Sequence, residues 1–242
     1  MNIRALSRFD GALEKIAAAT APTEILEELS TVLRSFGLHH LLITGLPLPR
    51  DGPWQQQILY DGWPREWFER YTASGHFFHD PCALRCRYTV EPFLWNELSR
   101  ERMTDGQLRV MDEATEFGLK DGLCVPVHSP LRAPAVVTAA GEWIELAAED
   151  LPTLEMLCVQ AFRAIRRLHM GDDGSLHHKL TDREREVLTW IAAGKAAEDV
   201  ACILGISKFT VERHLSNIRE KDGATNTVQA VVEAMRRGEI QP

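Results

Sequence analysis

The sequence predicts an α+β protein, an N-terminal α-β-α sandwich followed by an all-α helix-turn-helix domain. Three observations predict it. Between residues 1 and 169, helical spacing and short apolar strand runs follow one another with Gly and Pro breaks. From Leu180 to Lys221 the pattern changes to short helices joined by tight turns. Between the two lies MGDDGSLHH, residues 170–178, which has no periodicity and reads as a linker. The expected division is therefore 1–169, a linker at 170–178, and 179–242.

Taken in order, Leu6, Phe9, Leu13, Ile16 and Ala17 recur at helical spacing. After Ala21-Pro22-Thr23 a second helix turns Ile25, Leu29, Val32, Leu33 and Phe36 inward and closes at Gly37. Leu41 to Thr44 and Gln57 to Tyr60 read as strands, separated by Pro and Gly breaks. Pro64 starts a helix over Arg65 to Ala73, and His79-Asp80-Pro81 leads into a short one through Arg87. Thr104 can cap a helix running to Phe117, with Gly118 as its stop. Leu123 to His128 and Ala135 to Ala140 form the next two strands, paired as a hairpin. A long helix then runs from Asp150-Leu151-Pro152 to about His169, with Leu154, Leu157, Cys158, Ala161, Phe162, Ile165 and Leu168 as a broad stripe for core and partner contact. Helices flanking a small, mostly antiparallel sheet leave a space between layers, an architecture suited to sensing.

In the last third, Thr181 and Glu184 form a capping box, and Val187, Leu188, Ile191 and Ala192 give one apolar face ending at Gly194. A second run, Ala196 to Leu204, buries Val200, Ala201 and Leu204 and turns at Gly205-Ile206-Ser207. In the third, Val211, Leu215 and Ile218 face inward, leaving Lys208, Thr210, Glu212, Arg213, Ser216, Asn217 and Arg219 largely outside. Those seven are the candidate groove face. Spacing alone leaves DNA binding open, because many proteins carry a helical hairpin followed by a polar-faced helix.

Composition bounds the classes. Hydrophobic residues make up 45% of the 242 and charged residues 26%, enough for a sizeable core. Cys82, Cys86, Cys124, Cys158 and Cys202 are an odd, scattered set that reads as reduced thiols. The opening MNIRALSRFDGALEKI breaks every apolar run with charge, and no stretch approaches the roughly 18 to 20 apolar residues of a membrane span. A soluble, cytoplasmic protein without a membrane partner is expected. There is no Gly-rich phosphate loop, no G-x-S-x-G elbow and no oriented Cys-His pair, so an enzyme is not expected. His76, His79, Cys82 and Cys86 superficially suit a metal, but zinc sites usually pair ligands from two separated loops. They read instead as packing and surface residues, and no metal or cofactor is expected.

The aromatic and acidic residues from Trp63 to Trp95 form a further cluster: Trp63, Trp67 and Tyr71 repeat at i, i+4, i+8, with Asp80 and Trp95 beyond. Aromatic stripes are more often core than ligand box. Buried Trp and Tyr nonetheless need partners for their polar ends, and a buried Asp needs donors. A polar cavity or a ligand would satisfy all of them.

LTDREREVL, the AAGK turn, GIS-x-x-TVERHLSNI and the closing Arg237-Gly238-Glu239-Ile240 resemble the C-terminal DNA-binding domain of the LuxR family of transcription regulators, with Glu184, Leu188 and Gly194 at hallmark positions. Trp67, Tyr71, Asp80, Pro81, Trp95 and Gly122 resemble, in order, the family's N-terminal domain that binds acyl-homoserine lactones. The resemblance implies a quorum-sensing regulator that binds double-stranded DNA as a homodimer under control of an N-acyl-homoserine lactone. It implies that Trp67 donates to the lactone carbonyl, Asp80 accepts the amide N–H, Trp95 packs against the ring, and Tyr71 bonds or packs beside the amide and chain. Thr138 stands where the family has Ser or Thr touching the acyl amide carbonyl. Trp63 replaces a common Tyr; its N–H can replace a phenol donor while its bulk reshapes the pocket, which leaves the acyl chain open, an aromatic or short branched group being one expectation. A regulator with a non-lactone ligand or a structural pocket, and a lactone-processing enzyme, are the alternatives.

Residues 179–242 hold 10 Lys+Arg and 10 Asp+Glu, so the whole net charge of -8 lies in residues 1–178. A neutral DNA-binding unit gains little from phosphate attraction, which favours two copies on a two-half site. Glu212 and Ser216 stand where many relatives place basic residues, so anchoring leans on Lys208, Arg213 and Arg219, with Thr210 and Asn217 as polar contacts. Glu212 either accepts from a cytosine amine or is solvated. Asp222-Gly223 replaces the usual Leu after the recognition helix and Thr227 the usual Arg, and both departures are expected to weaken local packing.

Overall fold

The computed structural model describes residues 9, 11–47, 53–129, 132–170 and 179–241. They divide into two compact units, one of Met1–His128 with Ala133–Asp172 and one that includes Asp173–Pro242. In the first, α1 (Ala12–Ala18) and α2 (Pro22–Arg34) precede β1 (His40–Gly45) and β2 (Ile58–Asp61). There follow α3 (Arg65–Ala73), α4 (Pro81–Cys86), β3 (Phe93–Leu94), α5 (Asp105–Thr115), β4 (Asp121–Ser129), β5 (Arg132–Gly141) and α6 (Leu151–Met170). The five strands form one sheet in the order β2-β1-β5-β4-β3. β1 is antiparallel to β2 and β5, and β3 to β4.

The layering follows from strands that are apolar on both faces. In β1, Leu41 and Ile43 point one way and Leu42 the other; in β5, Ala135, Val137 and Ala139 oppose Val136 and Ala140. The odd-numbered set packs with Ile25, Leu29, Val32 and Leu33 of α2 and Leu154, Leu157, Cys158, Ala161 and Ile165 of α6 in one core. The even-numbered set faces Trp67 and Tyr71 of α3 and Val110 and Ala114 of α5 in a second core. The register aligns Leu42 with Thr138, which puts Thr138 on the second face.

The strand expectations at Leu41, Gln57, Leu123 and Ala135 each correspond to an observed strand. β3 was not anticipated, because two residues carry no period. The first expected helix does not run through from Phe9: Gly11, left-handed at φ +68, precedes a helix that begins at Ala12, and Leu6 lies outside the described residues; residues 171–178 of the expected linker do too, while Met170 belongs to α6. The helix after Thr104 stops at Thr115, short of Phe117.

The second unit contains α7 (Asp182–Ala192), α8 (Ala197–Leu204), α9 (Lys208–Asp222) and α10 (Thr227–Arg237). The capping box forms in both directions, Glu184 N to Thr181 Oγ1 at 3.3 Å and Thr181 N to a Glu184 carboxylate oxygen at 2.8 Å. Gly205 adopts φ +63 at the turn, and Ser207 caps α9 by accepting from Thr210 N. Val187, Val200, Ala201 and Val211 form one small core, and Leu180, Leu188, Ile218, Ala230 and Ala234 another.

Asp222, where the usual leucine was expected, enters a buried ion-pair chain in which its Oδ1 has no hydrogen-bond partner. Its side chain is fully buried and pairs with Arg237, Nη2 lying 2.8 and 3.0 Å from the two oxygens. Arg237 Nε also donates to Glu239 at 2.5 Å, and Glu239 accepts from Leu180 N at 2.8 Å. A charge chain thus ties the start of the unit to its end where an apolar residue was expected.

Candidate functional site

A cavity lies between the even-numbered sheet face and α3, α4 and α5. It brings together all six sequence-derived candidates, Trp63, Trp67, Tyr71, Asp80, Trp95 and Thr138. Trp67 and Tyr71 reach it from successive turns of α3, their rings edge to face with centroids 5.6 Å apart. Trp63, just before α3, meets Tyr71 in the same geometry at 5.1 Å.

Asp80 holds two positions at once. Oδ1 accepts from the backbone N–H of Cys82 at 2.7 Å and of Ala83 at 3.2 Å, capping α4, which begins at Pro81. Oδ2 accepts from the Tyr71 hydroxyl at 2.8 Å. Burial raises the Asp80 carboxyl above its usual range, against the lowering effect of the Tyr71 and backbone donors. Burial, reinforced by the Asp80 charge, pushes the Tyr71 phenol well up, so it remains a donor.

Trp95 follows β3 in a single 3-10 turn and donates from Nε1 to Cys124 Sγ at 3.3 Å. Its ring lies flat against Gly122 of β4: a Cβ there would stand 2.4 Å from Cε2 of the indole. Thr138 Oγ1 donates to the Leu123 carbonyl at 3.0 Å and lies 3.4 Å from Cys124 Sγ. Its proton is therefore engaged with the sheet, and contact with a ligand carbonyl through that proton requires the hydroxyl to turn.

Several lining residues escaped the sequence reading. Trp54, in a short turn ahead of β2, is buried against Tyr71 and Phe77; its only signal was an isolated Trp in a polar run. Cys82, Cys86 and Cys124 line the cavity from α4 and β4, and burial pushes the Cys82 thiol well up. The residues weighed as a metal set separate: His76 is buried with Nε2 3.0 Å from Glu113, His79 is exposed, and Cys82 and Cys86 sit in the wall of the cavity.

On α9, Lys208, Glu212, Arg213, Ser216 and Asn217 are exposed, while Thr210 and Arg219 are half-buried. Thr210 Oγ1 lies 2.8 Å from Ser207 Oγ within the helix cap. Lys208 is ion-paired with Glu198 of α8 and lies 3.8 Å from Glu212. The lysine expected to anchor phosphate is thus held by acids on its own surface. Phe209, in the first turn, is 73% exposed, an apolar side chain among the polar residues of that face.

Comparison with known proteins bears on both sites. The family model described as an autoinducer binding domain matches residues 21–165, and that described as bacterial regulatory proteins, luxR family, matches residues 178–234. The transcriptional activator protein BjaR1 of Bradyrhizobium diazoefficiens is 33% identical over 220 residues, 90% of each chain. The quorum sensing-dependent transcriptional regulator RpaR of Rhodopseudomonas palustris is 30% identical over 230 residues, 95% of this chain and 93% of that one. Among solved structures, Escherichia coli SdiA matches with a TM-score of 0.74 at 22% identity, over 98% of this chain and 99% of SdiA. SdiA in complex with octanoyl-rac-glycerol matches with the same TM-score at 21% identity, over 100% and 99%.

Proposed function

Because the chain belongs to the LuxR family of bacterial regulatory proteins, DNA-binding regulators with an autoinducer-binding domain, we propose that its cavity takes an N-acyl-homoserine lactone and that residues 1–169 sense it on behalf of residues 179–242. The observation that carries the reading is Asp80. One of its oxygens is consumed by two backbone amides, while the other, on the Tyr71 hydroxyl, belongs to a cavity otherwise lined largely by aromatic and apolar groups. A ligand amide N–H donating to that oxygen would stabilise the buried charge. Trp67 would donate to the lactone carbonyl, Trp95 would pack on the ring, and Trp63 or Thr138 would meet the amide carbonyl. The outer face of α6 would pair two subunits. Lys208, Thr210, Glu212, Arg213, Ser216, Asn217 and Arg219 would then meet DNA in successive grooves.

The test is mass spectrometry of the small molecule that copurifies with the full chain expressed beside its cognate synthase, together with melting temperature across an acyl-lactone panel. A ligand held only by the folded state raises stability by mass action. An acylglycerol that raises the melting temperature while no lactone does would replace the lactone reading, a second possibility that the SdiA complex with octanoyl-rac-glycerol supports. Lactone recovered intact after long incubation separates a receptor from a lactone-processing enzyme.

A further inference from the structure

Trp54 stands outside the residues assigned above. Its buried indole is stacked on Phe77, centroids 5.3 Å apart and planes 15° apart, with Tyr71 at 5.1 Å, Phe68 at 6.0 Å and Trp63 at 6.3 Å. Arg87 lies over the Phe77 ring and donates to the Pro47 carbonyl, holding that stack from behind. The indole is therefore packed against aromatic rings on several sides. Among the described residues, Trp54 Nε1 and Trp63 Nε1 are buried donors without a hydrogen-bond partner.

Three of the cavity's other donors are already matched within the protein. The Tyr71 hydroxyl is on Asp80, Trp95 Nε1 on Cys124, and Thr138 Oγ1 on the Leu123 carbonyl. An N-acyl lactone brings two carbonyl acceptors, and the function proposed above directs these to Trp67 and to Trp63 or Thr138. A third donor needs a third acceptor, because a buried N–H left unpaired carries an energetic penalty that an alkyl chain cannot relieve.

We propose that Trp54 is a specificity-determining residue whose indole N–H pairs with an oxygen carried by the acyl part of the ligand, so that the cognate lactone has an oxygenated acyl group and not a plain alkyl one. The proposal rests on the lactone reading of the cavity. A keto, hydroxyl or phenolic oxygen shares the needed chemistry.

The experiment measures affinity of the full chain for matched pairs: N-hexanoyl against N-(3-oxohexanoyl) and N-(3-hydroxyhexanoyl) homoserine lactone, and N-phenylacetyl against N-(4-hydroxyphenylacetyl). At least one oxygenated member is expected to bind about tenfold tighter than its counterpart, and the pair that shows it identifies the oxygen. Trp54→Phe is expected to bring that ratio to near one, the two members of the pair then binding alike. If Trp54→Phe does not fold, β-(3-benzothienyl)alanine at position 54, which keeps the stacked shape and lacks the N–H, takes its place. Lactones that bind with no preference within any pair, or a preference that survives loss of the N–H, overturn the proposal alone. Failure of every lactone to bind overturns the lactone reading and this proposal together.

Discussion

Exchange of Asp80 for Asn separates the two duties of its carboxylate. Asn caps a helix as well as Asp does, so acceptance from the Cys82 and Ala83 amides at 2.7 and 3.2 Å survives. The second oxygen becomes an amide nitrogen, and the Tyr71 hydroxyl that donated to it at 2.8 Å must turn to accept, at a cost of about 1 kcal/mol. A ligand amide then meets a donor in place of a charged acceptor, a loss of about 1.5 to 3 kcal/mol, or roughly 10- to 150-fold in affinity. Asp80→Ala differs: it removes the cap, about 1 kcal/mol, and strands the Tyr71 hydroxyl, about 1 to 3 kcal/mol. Thermal melting without ligand and calorimetric titration with lactone read both quantities. Asn is expected to melt near wild type and bind poorly, whereas Ala loses stability as well. Binding by the Asn variant within threefold of wild type would refute the reasoning, and so would equal destabilisation by the two.

Further consequences can be measured separately. Since an N–H donor favours ionised Asp80, and burial raises the free carboxyl, affinity should be full above that raised pKa and fall as pH drops through it, above the value near 3.9 of an ordinary aspartate; a flat profile down to about pH 4 contradicts this. Gly122→Ala should displace Trp95, whose Cε2 would lie 2.4 Å from the new Cβ, costing about 1 to 3 kcal/mol in melting and weakening ligand binding; an unchanged melting curve tells against the close packing. Glu198→Gln should release Lys208 and strengthen DNA binding, with the salt slope steeper by about one; weaker binding in mobility shifts would show that the pair positions the lysine. Arg237→Met leaves Asp222 and Glu239 buried without their cation and should cost about 3 to 5 kcal/mol in unfolding titrations. A loss below about 1 kcal/mol, the scale of an exposed pair, would mean that water replaces the arginine.

Much of this protein was determined by sequence alone. The capping box at Thr181, the apolar periods of α2 and α6, and the continuous apolar runs of β1 and β5 each encode a local structure in a few adjacent residues. The seven residues of the candidate groove face needed only their positions on one helix, and five candidates for the cavity could be named from residue type and order, with Thr138 added by resemblance to the family. Tertiary structure decided what those side chains do to one another. Asp80 as a helix cap bonded to Tyr71, Gly122 as the floor beneath Trp95, Arg237 as the partner that keeps Asp222 buried, and Glu198 as the acid on Lys208 all join residues distant in sequence or on different elements. No local period records such pairings. Trp54 is the extreme case: a lone Trp in a polar run carries no signal, and only the folding of α3 and the turn at His76–Phe78 around it makes its N–H a buried donor.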